Sequence, residues 1–317
     1  MAESFPESDS QNEAGGRIPG APGIPAFALQ AHEPSAIPVL IAVPHSGRAY
    51  PRALLREMRH AESVAVRLED RYVDRLAHGV ARETGASLLV ANAPRAMIDL
   101  NRAPDDVDWE MIVKADRPEG AAALPSRRAR SGLGVIPRRL PGTGELWRRR
   151  LQLADLKGRI EGVHEPYHAA LAGALQKLHE RWGAALLVDL HSMPPLQVRA
   201  GMAAPSVVVG DRFGATCHGS LIATTFSQLA ESGRESAHNR PYAGGYVLER
   251  HADPRGGFHA LQFEIDRSCY LDSALLEPGV GMASMIEDLS ALVRRLAAVV
   301  SDLGQEAGSR GWSLAAE

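Results

Sequence analysis

AALLVDLHSMP, residues 184–194, is the stretch on which the fold turns. Its short apolar run, Leu186, Leu187, Val188 and Leu190, suits a strand buried on both faces, as in the middle of a parallel or mixed sheet covered by helices. Asp189 and His191 stand two apart, so on a strand they share a face, at the end where open α/β sheets place their ligand sites. An imidazole there is a natural metal ligand or proton carrier. A histidine hydrogen-bonded in a loop would read the same from this segment alone, so the weight falls on other polar clusters at strand ends.

Composition bounds the answer. With 317 residues, 45% apolar and 23% charged, the chain is long enough for one large domain around a substantial core. A formal net charge of -3 gives no ground for a nucleic-acid or membrane surface. Cys217 and Cys269 are too few for a disulfide framework or a thiolate zinc knuckle, and as unpaired thiols they fit a reducing cytoplasm. Residues 1–25 are rich in Ser, Glu, Gly and Pro and lack the apolar core of a signal peptide. The expected layout is a disordered leader over 1–30, a domain over 31–305 and a flexible tail over 306–317. No apolar stretch approaches the roughly 18 to 20 residues of a membrane span, which predicts a soluble protein.

Working outward, Ile37 to Val43 is a β-branched run that breaks at once into Pro44-His45-Ser46-Gly47, placing His45 at a strand end like His191. Order is expected to begin near Ile37. Leu68 to Leu76 reads as a helix start with Glu69 and Asp70 in its first turn and Asp70 and Asp74 on one face, where favourable contact with the helix's positive end is the plainer explanation. A strand over Ala86–Ala91 leads into Arg95, Asp99, Asn101 and Arg102, packed among Met97, Ile98 and Leu100. Arginine's planar fork suits a carboxylate and asparagine adds a hydrogen bond beside it, although surface salt bridges are a common fate for arginines. From 103 to 144 the chain turns to Pro, Gly, Asp and Arg with little periodicity, as in a long excursion of the kind that often forms a lid. Its arginines lack the interleaved aromatics of a nucleic-acid surface.

His164-Glu165-Pro166-Tyr167-His168 matches HExxH, which holds zinc when both histidines lie in one regular helix. Pro166 argues against that, because it disfavours helical backbone at Glu165 and suits the first turn, so the helix is expected to start at Pro166. Farther on, 206–210 and 260–267 read as strands, the second with Leu261, Phe263 and Ile265 on one face and Gln262, Glu264 and Asp266 on the other. Glu264 among bulky strand residues is a candidate general base with a raised pKa, unless the strand is a solvent-facing edge. An amphipathic helix over Met282–Leu303 closes the domain.

In order along the chain, PHSG (44–47), ED-RYVDRL (69–76), RAMIDLNR (95–102), GLGVIPR (132–138), PYH (166–168), DLHSMP (189–194), PYAGGY (241–246) and LQFEIDR (261–267) resemble the N-formylglutamate amidohydrolases. The resemblance spans about residues 40 to 275. It implies an α/β single domain with a central mixed β-sheet flanked by helices, zinc-carboxypeptidase-like and similar to the aspartoacylases. It further implies hydrolysis of an N-acyl amino acid, foremost N-formyl-L-glutamate, with one zinc ion held by His45 and His191, Glu264 as catalytic glutamate, Arg95 polarising the scissile carbonyl, and Asn101 and Arg102 gripping the substrate's α-carboxylate. Carboxypeptidases take their first ligands from His-x-x-Glu, but Arg48 stands at that position here, so Asp70 is expected as the third ligand, with Glu69 behind it. Another N-acyl-amino-acid hydrolase, a carboxypeptidase-like enzyme, or a non-catalytic binder on the same scaffold are the alternatives at this stage.

Overall fold

Leucine-rich and β-branched runs become strands in this chain wherever both of their faces are covered. The computed structural model describes residues 9–118, 127–197 and 203–314. In chain order its strands are β1 (Asp9–Gly15), β2 (Phe27–Glu33), β3 (Val39–Val43), β4 (Ser87–Ala91), β5 (Arg139–Leu140), β6 (Gly144–Glu145), β7 (Ala185–Met193), β8 (Val207–Gly210), β9 (Ser236–His238) and β10 (Phe258–Asp266). The helices are α1 (Arg52–Glu57), α2 (Ala61–Leu68), α3 (Val73–Thr84), α4 (Arg127–Arg130), α5 (Leu153–Arg159), α6 (Glu165–Trp182), α7 (Gly219–Glu231), α8 (Tyr246–His251) and α9 (Met282–Leu314). Apart from the small β5–β6 pair, the described strands form one mixed sheet in the order β1-β2-β4-β3-β7-β10-β8-β9.

The four inner strands β4, β3, β7 and β10 run parallel, so their carboxyl ends gather along one edge of the sheet. Every residue of β7 is buried, as its apolar run predicts. Leu186, Val188 and Leu190 face a core built with α3 and α9, including Leu76, Val80, Leu289, Leu292 and Leu296. Ala185 and Leu187 face the opposite core, with Leu171 and Leu175 of α6. Asp189 and His191 continue that second face, and β10 pairs with β7 so that Gln262 lies beside Asp189 and Glu264 beside His191. β10 is no edge strand, since β7 and β8 flank it and Gln262, Glu264 and Asp266 are all buried.

Several expectations are corrected. Order does not wait for Ile37 and the 1–30 leader is not structureless throughout: β1 and β2 form an antiparallel hairpin that covers β4. β1 is mostly exposed and polar, so no apolar alternation marked it, whereas Phe27 and Leu29 of β2 point into the core. The helix expected from Leu68 starts at Val73, after Tyr72 in the left-handed region at φ 55, which leaves Glu69 and Asp70 in the connection before it. Asp74 is inside α3 and pairs with Arg48 at 2.6 Å.

Pro166 does not start a helix either. A π-turn over Ile160–His164 joins α5 to α6 without a break, and Glu165 is helical at φ -61 and ψ -48. The missing proline N–H would orphan the Gly162 carbonyl four residues back, but the Arg17 N–H donates to that oxygen at 2.7 Å.

The excursion after residue 103 packs into the core through Val107, Met111, Ile112, Val135 and Ile136, with 119–126 outside the described residues. Arg138 there pairs with Asp108 and Glu145, each at 2.6 Å. α9 runs to Leu314, so most of the expected tail is helical. No helix among the described residues is long and apolar enough to cross a membrane, and Cys217 and Cys269 are both free thiols.

Candidate metal centre

Three side chains meet at the carboxyl edge of the sheet. His45 follows the end of β3, His191 lies near the end of β7, and Asp70 is brought to them from the α2–α3 connection, where its N–H donates to the His45 carbonyl at 2.9 Å. One ligand atom from each of His45, Asp70 and His191 falls within 4.8 Å of the other two, and all three residues are buried. Asp70 Oδ2 lies 2.9 Å from His191 Nδ1 and 3.6 Å from His45 Nδ1. Glu69, the reserve ligand, instead pairs with Arg71 at 3.2 Å.

The far nitrogens show what this group suits. His45 Nε2 donates to Asp99 Oδ1 at 2.7 Å and His191 Nε2 donates to Asp189 Oδ2 at 3.0 Å. Each imidazole thus has a carboxylate fixing its Nε2 proton, which turns its Nδ1 toward Asp70, the arrangement in which metal-ligating histidines are held. His45 Nδ1 is buried with no hydrogen-bond partner, an orphan that a cation would satisfy. Two imidazoles and one carboxylate are the donor set of a tetrahedral divalent ion that keeps one position open. The residues fit a metal, and the fit rests on this geometry.

Charge is balanced tightly around them. Burial alone would raise the Asp70 carboxyl, but the hydrogen bond from His191 and the nearness of the His45 ring overcome it and hold the group well below the ordinary range. Burial would likewise strip His191 of its proton, yet Asp189, Asp70 and Glu264 raise its pKa well above the usual value. A cation held by His191 and Asp70 would compete with that proton. Glu264 goes the other way: burial pushes it up to about 7, with Asp70 and Asp189 adding to the rise against His191 and Arg95.

A cavity of about 400 Å³ opens over this group, lined also by Arg95, Asn101, Arg102, Gln262, Glu264 and Arg267. Arg95 is anchored to Asp99 through Nε at 3.0 Å and a terminal nitrogen at 2.9 Å. Gln262 donates to Glu264 Oε1 at 3.0 Å and accepts from Asn101 Nδ2 at 3.3 Å, while Asn101 Oδ1 accepts from the Val247 N–H at 3.0 Å. These bonds fix which end of the Asn101 amide is nitrogen. Its 3.4 Å approach to His191 Nε2 is then donor against donor, since that nitrogen's proton goes to Asp189. Gly245 is required beside it, because a Cβ there would stand 2.3 Å from Asn101 Oδ1. Arg102 holds the Leu133 carbonyl with Nε at 3.1 Å and the Asn101 carbonyl with a terminal nitrogen at 2.8 Å.

All seven residues singled out from the sequence therefore line one cavity. The HExxH histidines do not join them: His164 and His168 share a helix face after all, but bond to backbone carbonyls of Arg102 and Leu100. Sequence reasoning passed over Asp99 and Asp189 as holders of the histidines and Gln262 as the donor to Glu264. The strand period carried the signal for two of them, since Asp189 and Gln262 each stand two residues before His191 and Glu264 on the same face. Arg267, bonded to Ser192 at 3.1 Å and standing 3.6 Å from Asp70, had no such signal.

A profile of the N-formylglutamate amidohydrolase family matches residues 37–271. The chain is 28% identical over 274 residues to an N-formylglutamate deformylase of Pseudomonas putida, covering 85% of this chain and 94% of that one. It is also 28% identical over 280 residues to the N-formylglutamate deformylase of Pseudomonas aeruginosa, with 85% and 95% covered. The crystal structure of N-formylglutamate amidohydrolase from Ralstonia eutropha JMP134 superposes with a TM-score of 0.78 at 32% identity, covering 87% of this chain and 98% of that one.

Proposed function

Since this chain belongs to the N-formylglutamate amidohydrolase family, we propose that it hydrolyses the amide bond of N-formyl-L-glutamate, releasing formate and glutamate, with the help of one divalent ion, zinc foremost. The observation that carries the reading is the convergence of His45, Asp70 and His191, each imidazole backed by its own carboxylate, beside a glutamate raised to about 7. The relatives are named for the deformylase activity, which favours the formyl substrate over other N-acyl groups. Two free cysteines and the absence of a membrane-spanning helix among the described residues support a cytoplasmic enzyme acting on a small molecule.

In this mechanism His45, Asp70 and His191 would hold the ion, which when bound would make a water more acidic and polarise the amide carbonyl. Glu264, buried beside the metal group, accepts the water's proton as it attacks and delivers it to the departing amine nitrogen. Gln262 donates to Glu264 Oε1 and so orients its carboxylate. Arg95, fixed by Asp99, stabilises the oxyanion that forms at the carbonyl. Arg102 and Asn101, both lining the cavity, receive the substrate's α-carboxylate.

The deciding experiment measures formate release from N-formyl-L-glutamate by the purified protein, with and without a chelator, followed by zinc add-back. Formate produced, abolished by the chelator and restored by zinc supports the proposal. Formate release untouched by metal stripping refutes the metal-dependent reading, and its absence under all conditions refutes the activity.

A further inference from the structure

His164 and His168 lie outside the metal centre, yet both are buried and both donate to one short segment. His164 Nε2 donates to the Arg102 carbonyl at 2.9 Å and His168 Nε2 donates to the Leu100 carbonyl at 3.0 Å. Asn101 lies between those two oxygens. Farther back on the same helix, Arg159 donates to the Met97 carbonyl at 2.9 Å.

The π-turn explains how one helix face makes all three bonds. Arg159 and His164 are five residues apart, which is one turn where bonding runs from i to i+5, and His164 and His168 are one α-turn apart. Because His168 Nε2 gives its proton to a carbonyl, its Nδ1 accepts from His251 Nε2 at 2.9 Å, and His251 belongs to α8, just after the cavity wall at Gly244 and Gly245. Burial keeps these rings neutral, with His168 lowered to about 2, His251 to about 3 and His164 also lowered, so each retains a single N–H.

We propose that His164 and His168 are positioning residues for substrate recognition: by fixing the carbonyls on either side of Asn101, they set where the Asn101 amide and the Arg102 guanidinium meet the substrate's carboxylate. This rests on the reading of Asn101 and Arg102 as the carboxylate-binding pair. Packing alone would account for buried rings, but not for two donors bracketing the one residue whose amide links Val247, Gln262 and the cavity.

The test compares His164→Asn with His164→Gln. Glutamine carries its amide nitrogen about where Nε2 sits, whereas asparagine ends near Nδ1 and falls short of the Arg102 carbonyl. For both variants and the parent, KM and kcat for N-formyl-L-glutamate, zinc stoichiometry and the thermal midpoint are measured. His164→Asn is expected to raise KM by about tenfold or more, with kcat and zinc content nearly unchanged, and His164→Gln to restore KM. Equal KM values in the two variants, or losses confined to kcat or zinc, overturn the proposal. If His164→Asn does not fold, His168→Asn against His168→Gln puts the same question to the Leu100 carbonyl, with the same outcomes. A parent protein without turnover overturns the functional reading and this inference with it, while parent turnover with an insensitive KM overturns the inference alone.

Discussion

Replacing Asp189 with asparagine should weaken zinc binding while leaving the fold in place. The side chain is wholly buried on β7 and its Oδ2 accepts from His191 Nε2 at 3.0 Å. Asparagine has the same shape, so packing against the neighbouring strands is kept and the change is electrostatic. If the amide oxygen faces the ring, a charge-assisted hydrogen bond becomes a neutral one of about half the strength. If the amide nitrogen faces it, Nε2 must accept, the proton moves to Nδ1, and the lone pair aimed at Asp70 is lost. Substitution of such outer partners typically weakens metal binding ~10- to 100-fold, or roughly 1.4 to 2.7 kcal/mol. Titration of zinc into metal-stripped protein against a chromophoric chelator measures this directly, with circular dichroism confirming the fold. A dissociation constant within twofold of the parent's would refute the assignment of His191 Nδ1 as a ligand held by Asp189.

The other predictions concern chemistry and stability. Glu264→Gln should retain zinc but lose about 10²- to 10⁴-fold in kcat; in the parent, kcat/KM should fall about tenfold per pH unit on the acid side of a midpoint at or below about 7, because protonated Glu264 cannot accept a proton and a bound cation pulls its pKa down. A stopped pH-rate series on both proteins checks this, and an acid limb that persists unchanged in Glu264→Gln assigns it elsewhere. Arg102→Ala should raise KM far more than it lowers kcat, and unaltered KM removes Arg102 from carboxylate binding. His259 is buried and lowered to about 4, below its unfolded value near 6.5. Its contribution to stability is therefore full above about pH 6.5 and is lost as the pH falls towards 4, by about 1.4 kcal/mol per unit. Urea unfolding at pH 7 and pH 5 should show a smaller acid loss in His259→Gln than in the parent.

Much of this arrangement was legible because strand periodicity is a strong signal. DLHS at the end of an apolar run placed His191, PHSG placed His45, and the alternation of LQFEID placed Glu264 opposite Leu261, Phe263 and Ile265, all as found. That Asp70 rather than Glu69 meets His45 and His191 was not legible locally, since it depends on the Asp70 N–H reaching the His45 carbonyl while Glu69 pairs with Arg71. What stayed hidden had its cause in distant residues. Pro166 reads as a helix start unless one knows that Arg17, about 145 residues earlier, accepts the duty of bonding the Gly162 carbonyl. β1 was unreadable because its order comes from backbone pairing with β2, and its exposed polar side chains carry no core-facing pattern.

The family profile stops at residues 37 and 271, but the globule does not. α9 lies wholly beyond that limit and covers the sheet with Leu289, Leu292, Val293, Leu296 and Val300, while β2 lies before it and seals the open flank of β4. A clone trimmed to the profile would strip a wide oily face from the sheet and leave a naked strand border, two invitations to clump. It would also take away Arg17, and with it the bond to the Gly162 carbonyl at the π-turn between α5 and α6. For this chain, recombinant work should begin ahead of residue 9 and run past the end of α9, however far from the reacting atoms those segments lie.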